Sequence, residues 1–395
     1  MNARAALRGM AWDHPRARGP LEAISAEWSR QRGVSIRWDA RPLKDFEDQP
    51  LEELATAYDL ILIDHPFVGF AAASKLLSPV EDWVDAGYLA DQAAHSVGPS
   101  YPSYAWAGKQ WALAIDAACQ VSALRDDLRR AGSVGSLPDT WAEVYRLAQH
   151  LRSAVSKVAI PLNPNHAYCV FLAIGATIAG DDFWPMESQM NRAPALESLE
   201  FLRRLAIEVH PVSRHADPIL ISDHMTYTNE ILYVPLMFGY SNYARPGFRP
   251  HVLHFSNAPR GKCGKHGSVL GGVGLALSAL SSRAAEAADL ARRIAGPGAQ
   301  CGVYARAGGQ PGHVAAWESP DVNQQTGGFF LATRSTIDHA CLRPRVAGHR
   351  PFQPLAGEAI HRFIWAGGTS AETCFAEIDR LVDSLLWRTN RRAVV

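Results

Sequence analysis

Short apolar runs alternate with helical patterns from the start of the chain. The run Ala5 to Trp12 reads as a strand, Pro20 to Arg32 as a helix, Val34 to Trp38 as a strand, Leu51 to Tyr58 as a helix and Leu60 to Asp64 as a strand. Strands that alternate with helices in this way predict right-handed crossovers and a parallel sheet. Further on, Thr140 and Glu143 form a capping box ahead of the apolar positions Val144, Leu147 and Leu151, so a helix begins at Asp139 or Thr140. Helical spacing returns at Ala193 to Val209 and Ala284 to Ala295. It returns again at Ser370 to Arg388, where Phe375, Ile378, Leu381, Val382 and Leu385 share a face. Trp111 to Leu124 and Gly267 to Ser278 read as strands entering helices. No internal repeat or low-complexity tract interrupts the pattern.

Composition narrows the class. The 395 residues are 47% hydrophobic and 20% charged, which suits a globular chain of two domains. Lysine plus arginine (39) balance aspartate plus glutamate (39), and no basic run is interleaved with aromatics, which argues against a nucleic-acid partner. The longest uncharged stretches, Ala167 to Gly180 and Gly267 to Ser282, fall short of the roughly 18 apolar residues of a membrane helix, so no membrane insertion is expected. Met1 to Gly19 lacks the apolar run of about 7–15 residues of a secretory signal. A cytoplasmic protein is therefore expected as numbered, or a periplasmic one if translation starts elsewhere. The six cysteines show no CxxC pair or zinc-ligand spacing and read as reduced thiols.

Landmarks recur in a characteristic order. After the early strands come Lys109-Gln110-Trp111-Ala112-Leu113-Ala114-Ile115-Asp116, then Leu124-Arg125-Asp126-Asp127-Leu128 and Leu137-Pro138-Asp139-Thr140-Trp141-Ala142-Glu143-Val144. The turn Gly271-Gly272-Val273-Gly274 and the segment Gly308-Gly309-Gln310-Pro311 follow. This order resembles the extracellular solute-binding proteins of sugar-type ABC transporters over nearly the whole chain. The resemblance implies an α/β, two-lobed periplasmic-binding-protein-like fold of type II, each lobe a mixed sheet flanked by helices, joined by hinge crossings. It implies lobes of residues 1–113 with 267–317 and of 114–266 with 318–395. It also implies a monomer that closes on a small-molecule ligand and, if exported, serves an ABC permease.

Candidate ligand groups follow from loop position and chemistry. Asp13-His14-Pro15 and Asp64-His65-Pro66 each follow a predicted strand, where open α/β sheets bind ligands. Carboxylate and imidazole suit a hydroxylated ligand, and the same groups offer acid/base chemistry. The alternative for both is a strand-terminating turn with solvated histidines. Asp116, with Gln120 four residues on, lies where the resemblance places the first lobe crossing; a strand-end cap is the alternative. A sugar ring also needs an aromatic platform. Trp12, Trp111, Tyr240, Tyr243 and Trp317 are candidates, each also a plausible core residue. Gly272, Gln310, Trp317, Glu318 and Asn323 lie in segments of loop composition.

No Walker A loop, HExxH or GxSxG is present, and Gly272-Val273-Gly274 lacks the third glycine of a dinucleotide fingerprint, so no cofactor is expected. The pairs His251 with His254 and His210 with His215 lack further ligands, so no metal is expected either. Two function classes remain: a binding protein for a carbohydrate-like solute, or a cofactor-free lyase, isomerase or hydrolase on the same scaffold using His14, His65 and Asp64. A third, an intracellular ligand sensor, has no separate support.

Overall fold

The computed structural model describes residues 6–41, 50–132, 135–185 and 188–387. Strand β1 (Leu7–Trp12) leads into helix α1 (Pro15–Arg32), and strand β2 (Ile36–Arg41), helix α2 (Leu51–Ala57) and strand β3 (Leu60–Ile63) complete two parallel crossovers. The long strand β4 (Leu113–Leu124) is buried at every position. Then come α3 (Trp141–Leu151), α4 (Pro164–Ala179), α5 (Arg192–Ala206), α6 (Pro218–Tyr227), strand β5 (Ile231–Phe238) and strand β6 (Leu270–Ser278). Helices α7 (Ala284–Ala295), α8 (His349–Trp365) and α9 (Ala371–Leu381) follow towards the end of the chain.

The sheet runs β2-β1-β3-β6-β4-β5 and ends on Lys157–Val158. Its first three strands are parallel, while β6 pairs antiparallel with both β3 and β4, and β4 pairs antiparallel with β5. The sheet is therefore mixed, as the resemblance implied, and parallel only where βαβ crossovers build it.

Apolar side chains separate into one cluster on each side of β4 and a third around its middle. The first draws on Leu7 through Ile115 and on Val273 through Tyr304. The second runs from Leu124 through α4, α5 and α8 to Leu386. Ala117, Cys119, Val121 and Ala123 of β4 belong to the third, with Leu270, Trp317 and Phe330. One strand thus threads every core, and Asp116 sits where the first core ends. Two other segments pass at the same level. Val273 of β6 pairs with Asp116, and the chain at 310–312 runs alongside, Gly312 N–H donating to the Ile115 carbonyl at 3.2 Å. A Cβ on Gly312 would lie 2.2 Å from the Ala114 oxygen, so the close approach needs glycine there.

Several boundaries differ from the sequence expectation for local reasons. Helix α1 starts at Pro15, because the His14 ring caps it and Pro15 suits the first position, leaving Pro20 inside the helix. Strand β2 begins two residues later than expected, at Ile36. Gly271-Gly272-Val273-Gly274 is no turn; it is extended backbone within β6, bulged between Val273 and Gly274. Trp317 and Glu318 end the short helix Val314–Glu318, and Asn323 lies in the helix Pro320–Gln325, so this segment is not a loop. The last helix ends at Leu381 and widens into a π-type turn over Val382–Trp387. Ala5 and Arg388, the expected ends of the first strand and last helix, lie outside the described residues.

The capping box at α3 forms in full: Thr140 Oγ1 accepts from Glu143 N–H at 3.3 Å and Glu143 Oε2 accepts from Thr140 N–H at 3.1 Å. Thr140→Ala should lower stability by about 1 kcal/mol while Thr140→Ser retains most of it. Equilibrium urea unfolding reads the difference; equal losses in both variants would contradict the cap.

Candidate functional site

Three helix starts converge on one cleft. Each is a polar cap followed by proline at the first helical position: His14-Pro15 for α1, Asn163-Pro164 for α4 and Asp217-Pro218 for α6. The cap side chain accepts a backbone N–H in each case, from Arg16, His166 and Leu220. Helix N-termini present unpaired N–H groups and partial positive charge, so they favour carboxylates nearby. The cleft encloses about 740 Å³ of empty space including its open mouth, within the range of small-molecule sites. Trp12, Phe238, Tyr240, Ile219 and Val273 give it apolar walls; Asp64, Asp116, Asn165, His166, Asp217, Arg16 and Arg343 supply polar groups.

Two ion pairs organise the polar side. Arg16 grips Asp116 with two prongs: Nε donates to Oδ2 at 2.8 Å and Nη2 donates to Oδ1. Its Nη1 donates to the Gly239 carbonyl at 3.3 Å, and its guanidinium lies 4.7 Å over the Tyr240 ring. Arg16 and Asp116 are both almost fully buried. Burial works against the charge on Arg16, but Asp116 more than restores it and the guanidinium's pKa moves up. Burial also pushes the Asp116 carboxyl up, against the pull of Arg16; the two-pronged geometry keeps it the acceptor.

The second pair starts a relay across the cleft. Arg343 Nη2 donates to Asp64 Oδ2 at 2.7 Å, Arg343 Nη1 donates to Gln353 Oε1 at 3.1 Å, and Gln353 Nε2 donates to Asn165 Oδ1. The relay thus joins the end of β3 to the start of α4 through α8. Burial opposes the charge on Asp64, yet Arg343 and His65 outweigh it and hold the carboxyl well below the usual carboxylate range. Arg345, two residues on, donates to the carbonyls of Pro102 at 2.6 Å and Ala105 at 2.8 Å, anchoring the same segment.

Solved structures of the same shape exist. The maltose-bound MalE3 of T. maritima superposes with a TM-score of 0.82 at 16% identity, covering 96% of this chain and 99% of its own. A ribitol-bound ABC transporter solute-binding protein from Agrobacterium radiobacter K84 gives 0.78 at 18%, covering 95% and 97%. MalE from Xanthomonas citri, a sugar-binding protein, gives 0.75 at 16%, covering 99% of both chains. This chain has the two-lobed solute-binding-protein fold. No family model matches it.

Within this solute-binding fold, five of the residues singled out from sequence line the cleft: Trp12, Asp64, Asp116, Tyr240 and Gly272. Gly272 has φ +103°, and a Cβ there would lie 2.2 Å from the Asp116 oxygen. The others sit elsewhere. Asp13 is exposed and pairs with Arg18 at 3.3 Å. His14 is buried behind the wall, its ring edge-on to Tyr240 at 5.0 Å. His65 is fully buried beneath Asp64. Gln120 is fully buried further along β4, its Oε1 accepting from Val269 N–H at 3.4 Å. Gln310 ties β4 to the chain after β5, donating to the Ala117 carbonyl at 2.9 Å and accepting from Ser241 N–H at 3.0 Å. The Trp317 indole donates to the Pro311 carbonyl at 2.7 Å inside the core, and Glu318 is exposed against Arg334 at 3.0 Å. Trp111 packs in the first core, and Tyr243 donates to Asp223 at 2.9 Å away from the cleft.

Sequence reasoning missed Arg16, Arg343, Asn165, His166, Asp217 and Phe238. A signal existed for four of them: each cap-proline dipeptide marks a helix start, and Arg16, Asn165, His166 and Asp217 lie within three residues of one. Arg343 and Phe238 carry no comparable local mark.

Two predictions follow from the burial. Asp116→Asn should destabilise the protein by about 3–5 kcal/mol, because it strands a buried guanidinium. The double variant Arg16→Met with Asp116→Leu should recover much of that loss in chemical denaturation, and failure to recover would sink the account. Burial also lowers His14, His65 and His166 to about 4 from the usual 6.5. Between those values the unfolded chain binds protons that the folded chain does not, so stability is complete above pH 6.5 and falls as pH drops towards 4. Calorimetric melts across that window should show a steep decline that His65→Gln flattens; a pH-independent Tm would refute it.

Proposed function

We propose that the chain captures a small, uncharged, polyhydroxylated solute of carbohydrate type between its lobes and releases it unchanged. The observation that carries this reading is the pairing within the cleft: Arg16 holds Asp116, and Arg343 holds Asp64. Paired charges offer both donors and acceptors to hydroxyl groups while leaving no net charge from the arginines to attract an acid. Trp12, Phe238 and Tyr240 supply flat apolar faces for a sugar ring or polyol chain. Structures of the same fold carry maltose, ribitol, alpha-D-tagatose and D-mannitol, which supports this ligand class. The ligand groups under this reading are Trp12, Asp64, Asp116, Tyr240 and Gly272, joined by Arg16, Asn165, His166, Asp217 and Arg343. His14 and His65 lie buried outside the lining, which supports positioning roles for them rather than acid/base catalysis.

The division of the apolar cores supports lobes close to 1–113 with 267–317 and 114–266 with 318–395, hinged where β4, β6 and the 310–312 segment pass, although Leu270 and Trp317 pack in the third core rather than the first. The first core's last contributor is Tyr304, so the third crossing follows it directly. No described helix is long and apolar enough to cross a membrane. A permease that receives the solute is the partner this role calls for, and the chain acts as a monomer whose lobes move freely.

Calorimetric titration with neutral sugars and alditols, followed by mass spectrometry of the recovered ligand, tests the reading. A saturable neutral ligand returned intact is expected, and Arg343→Leu should weaken it about 10- to 100-fold. Conversion of the ligand, or selective binding of acids alone, would overturn the proposal.

A further inference from the structure

The fold regroups histidines that are unremarkable in the sequence. His210 stands beside His224 and Glu230, whereas His215 faces His361 at 6.4 Å. The three come from separate segments: His210 from the turn before Pro211–Arg214, His224 from the last turn of α6, and Glu230 from the residue before β5. His224 Nε2 lies 2.7 Å from Glu230 Oε2, and His210 Nε2 lies 3.5 Å from the same oxygen. The imidazole rings are 5.2 Å apart and tilted by 54°, and one donor atom from each residue falls within 4.8 Å of the others.

We propose that His210, His224 and Glu230 form a binding site for a divalent transition-metal ion of the zinc type. Two imidazole nitrogens and one carboxylate oxygen are a common zinc ligand set, with the fourth position left to water. Ligand atoms around a tetrahedral zinc at roughly 2.1 Å stand about 3.4 Å apart. Two of the separations, 2.7 and 3.5 Å, bracket that spacing and the third is within 4.8 Å, so modest side-chain movement admits the ion. Glu230 is half exposed and both histidines are partly exposed, which gives the ion a route in. Capture has two identifiable costs: the 2.7 Å contact between His224 and Glu230 must open, and His210 loses a hydrogen bond. His210 Nδ1 accepts from Val212 N–H at 3.2 Å, which places the neutral ring's proton on Nε2. Coordination through Nε2 moves that proton to Nδ1 and gives up this long hydrogen bond.

A second grouping, Asp91 with His95 and His313, makes the better control than candidate. Its imidazoles stack nearly parallel, at 19°, rather than converging. The proposed site ties the far end of α6, whose first turn lines the cleft, to the start of β5. It does not depend on which solute the cleft binds.

The test is calorimetric titration of the full, EDTA-stripped chain with zinc chloride at pH 7.5, with melting curves in parallel. One zinc per chain is expected, with a rise in Tm that EDTA reverses. His224→Ala and Glu230→Gln should each weaken binding at least tenfold, while His95→Ala leaves it unchanged. No saturable uptake, uptake unaltered by His224→Ala, or loss on His95→Ala would overturn the proposal. Zinc-edge X-ray absorption of the loaded wild type decides the matter even if a variant misfolds: two imidazoles in the inner shell support the site, and any other count of imidazoles refutes it.

Discussion

A guanidinium removed from water must find partners inside the protein, and Arg16 finds an acceptor for each of its three nitrogens where β4 passes the chain after β5. Asp116 takes two of its N–H groups, the Gly239 carbonyl a third, and the Tyr240 ring covers its face. Those partners belong to β4 and to the chain just after β5, so a single side chain from α1 holds these two segments in register. The strands around it are correspondingly constrained. Gly272 leaves no side chain between β6 and the Asp116 backbone, and Gly312 does the same against Ala114. Were β4 or the segment after β5 displaced by even an ångström, a buried charge would lose hydrogen bonds.

The cleft inherits its chemistry from that arrangement. Three carboxylates, Asp64, Asp116 and Asp217, can gather there because helix starts and two arginines face them. Aromatic and aliphatic side chains fill the remaining walls. The relay from Asp64 through Arg343 and Gln353 to Asn165 is polar at every link, which makes the contact between the two sides of the cleft directional rather than merely adhesive.

Much of this was legible in the residues. The strand-helix alternation before Asp64 placed the parallel half of the sheet, and Thr140 with Glu143 marked the start of α3. Trp12, Asp64, Asp116, Tyr240 and Gly272 were visible as candidate ligand groups because strand ends and glycine carry positional meaning. Arg343 was not, since its importance comes from a contact with Asp64 across 279 residues of chain. Gln310 and Trp317 look like ligand groups in sequence because polar and aromatic residues in a glycine-rich segment resemble a loop, and Gln120 because it stands four residues after Asp116. In the folded chain Gln120 Oε1, the Gln310 amide and the Trp317 indole bond to backbone groups instead of facing the cleft. Local pattern cannot distinguish those two uses of a side chain, because the choice is made by what packs on it from elsewhere.

The position of β6 has a consequence for the growing chain. It lies between β3 and β4 in the sheet, yet it follows both by well over a hundred residues in sequence. While the ribosome is still making the helices of α3 to α6, β3 and β4 have each completed an apolar strand whose edge has no neighbour. Open apolar edges invite pairing with other chains. Synthesis of this protein therefore passes through a prolonged interval in which its central strands need shielding, by early collapse of α1 and α2 over β1 and β3 or by a chaperone that holds the nascent edge until residue 278 emerges.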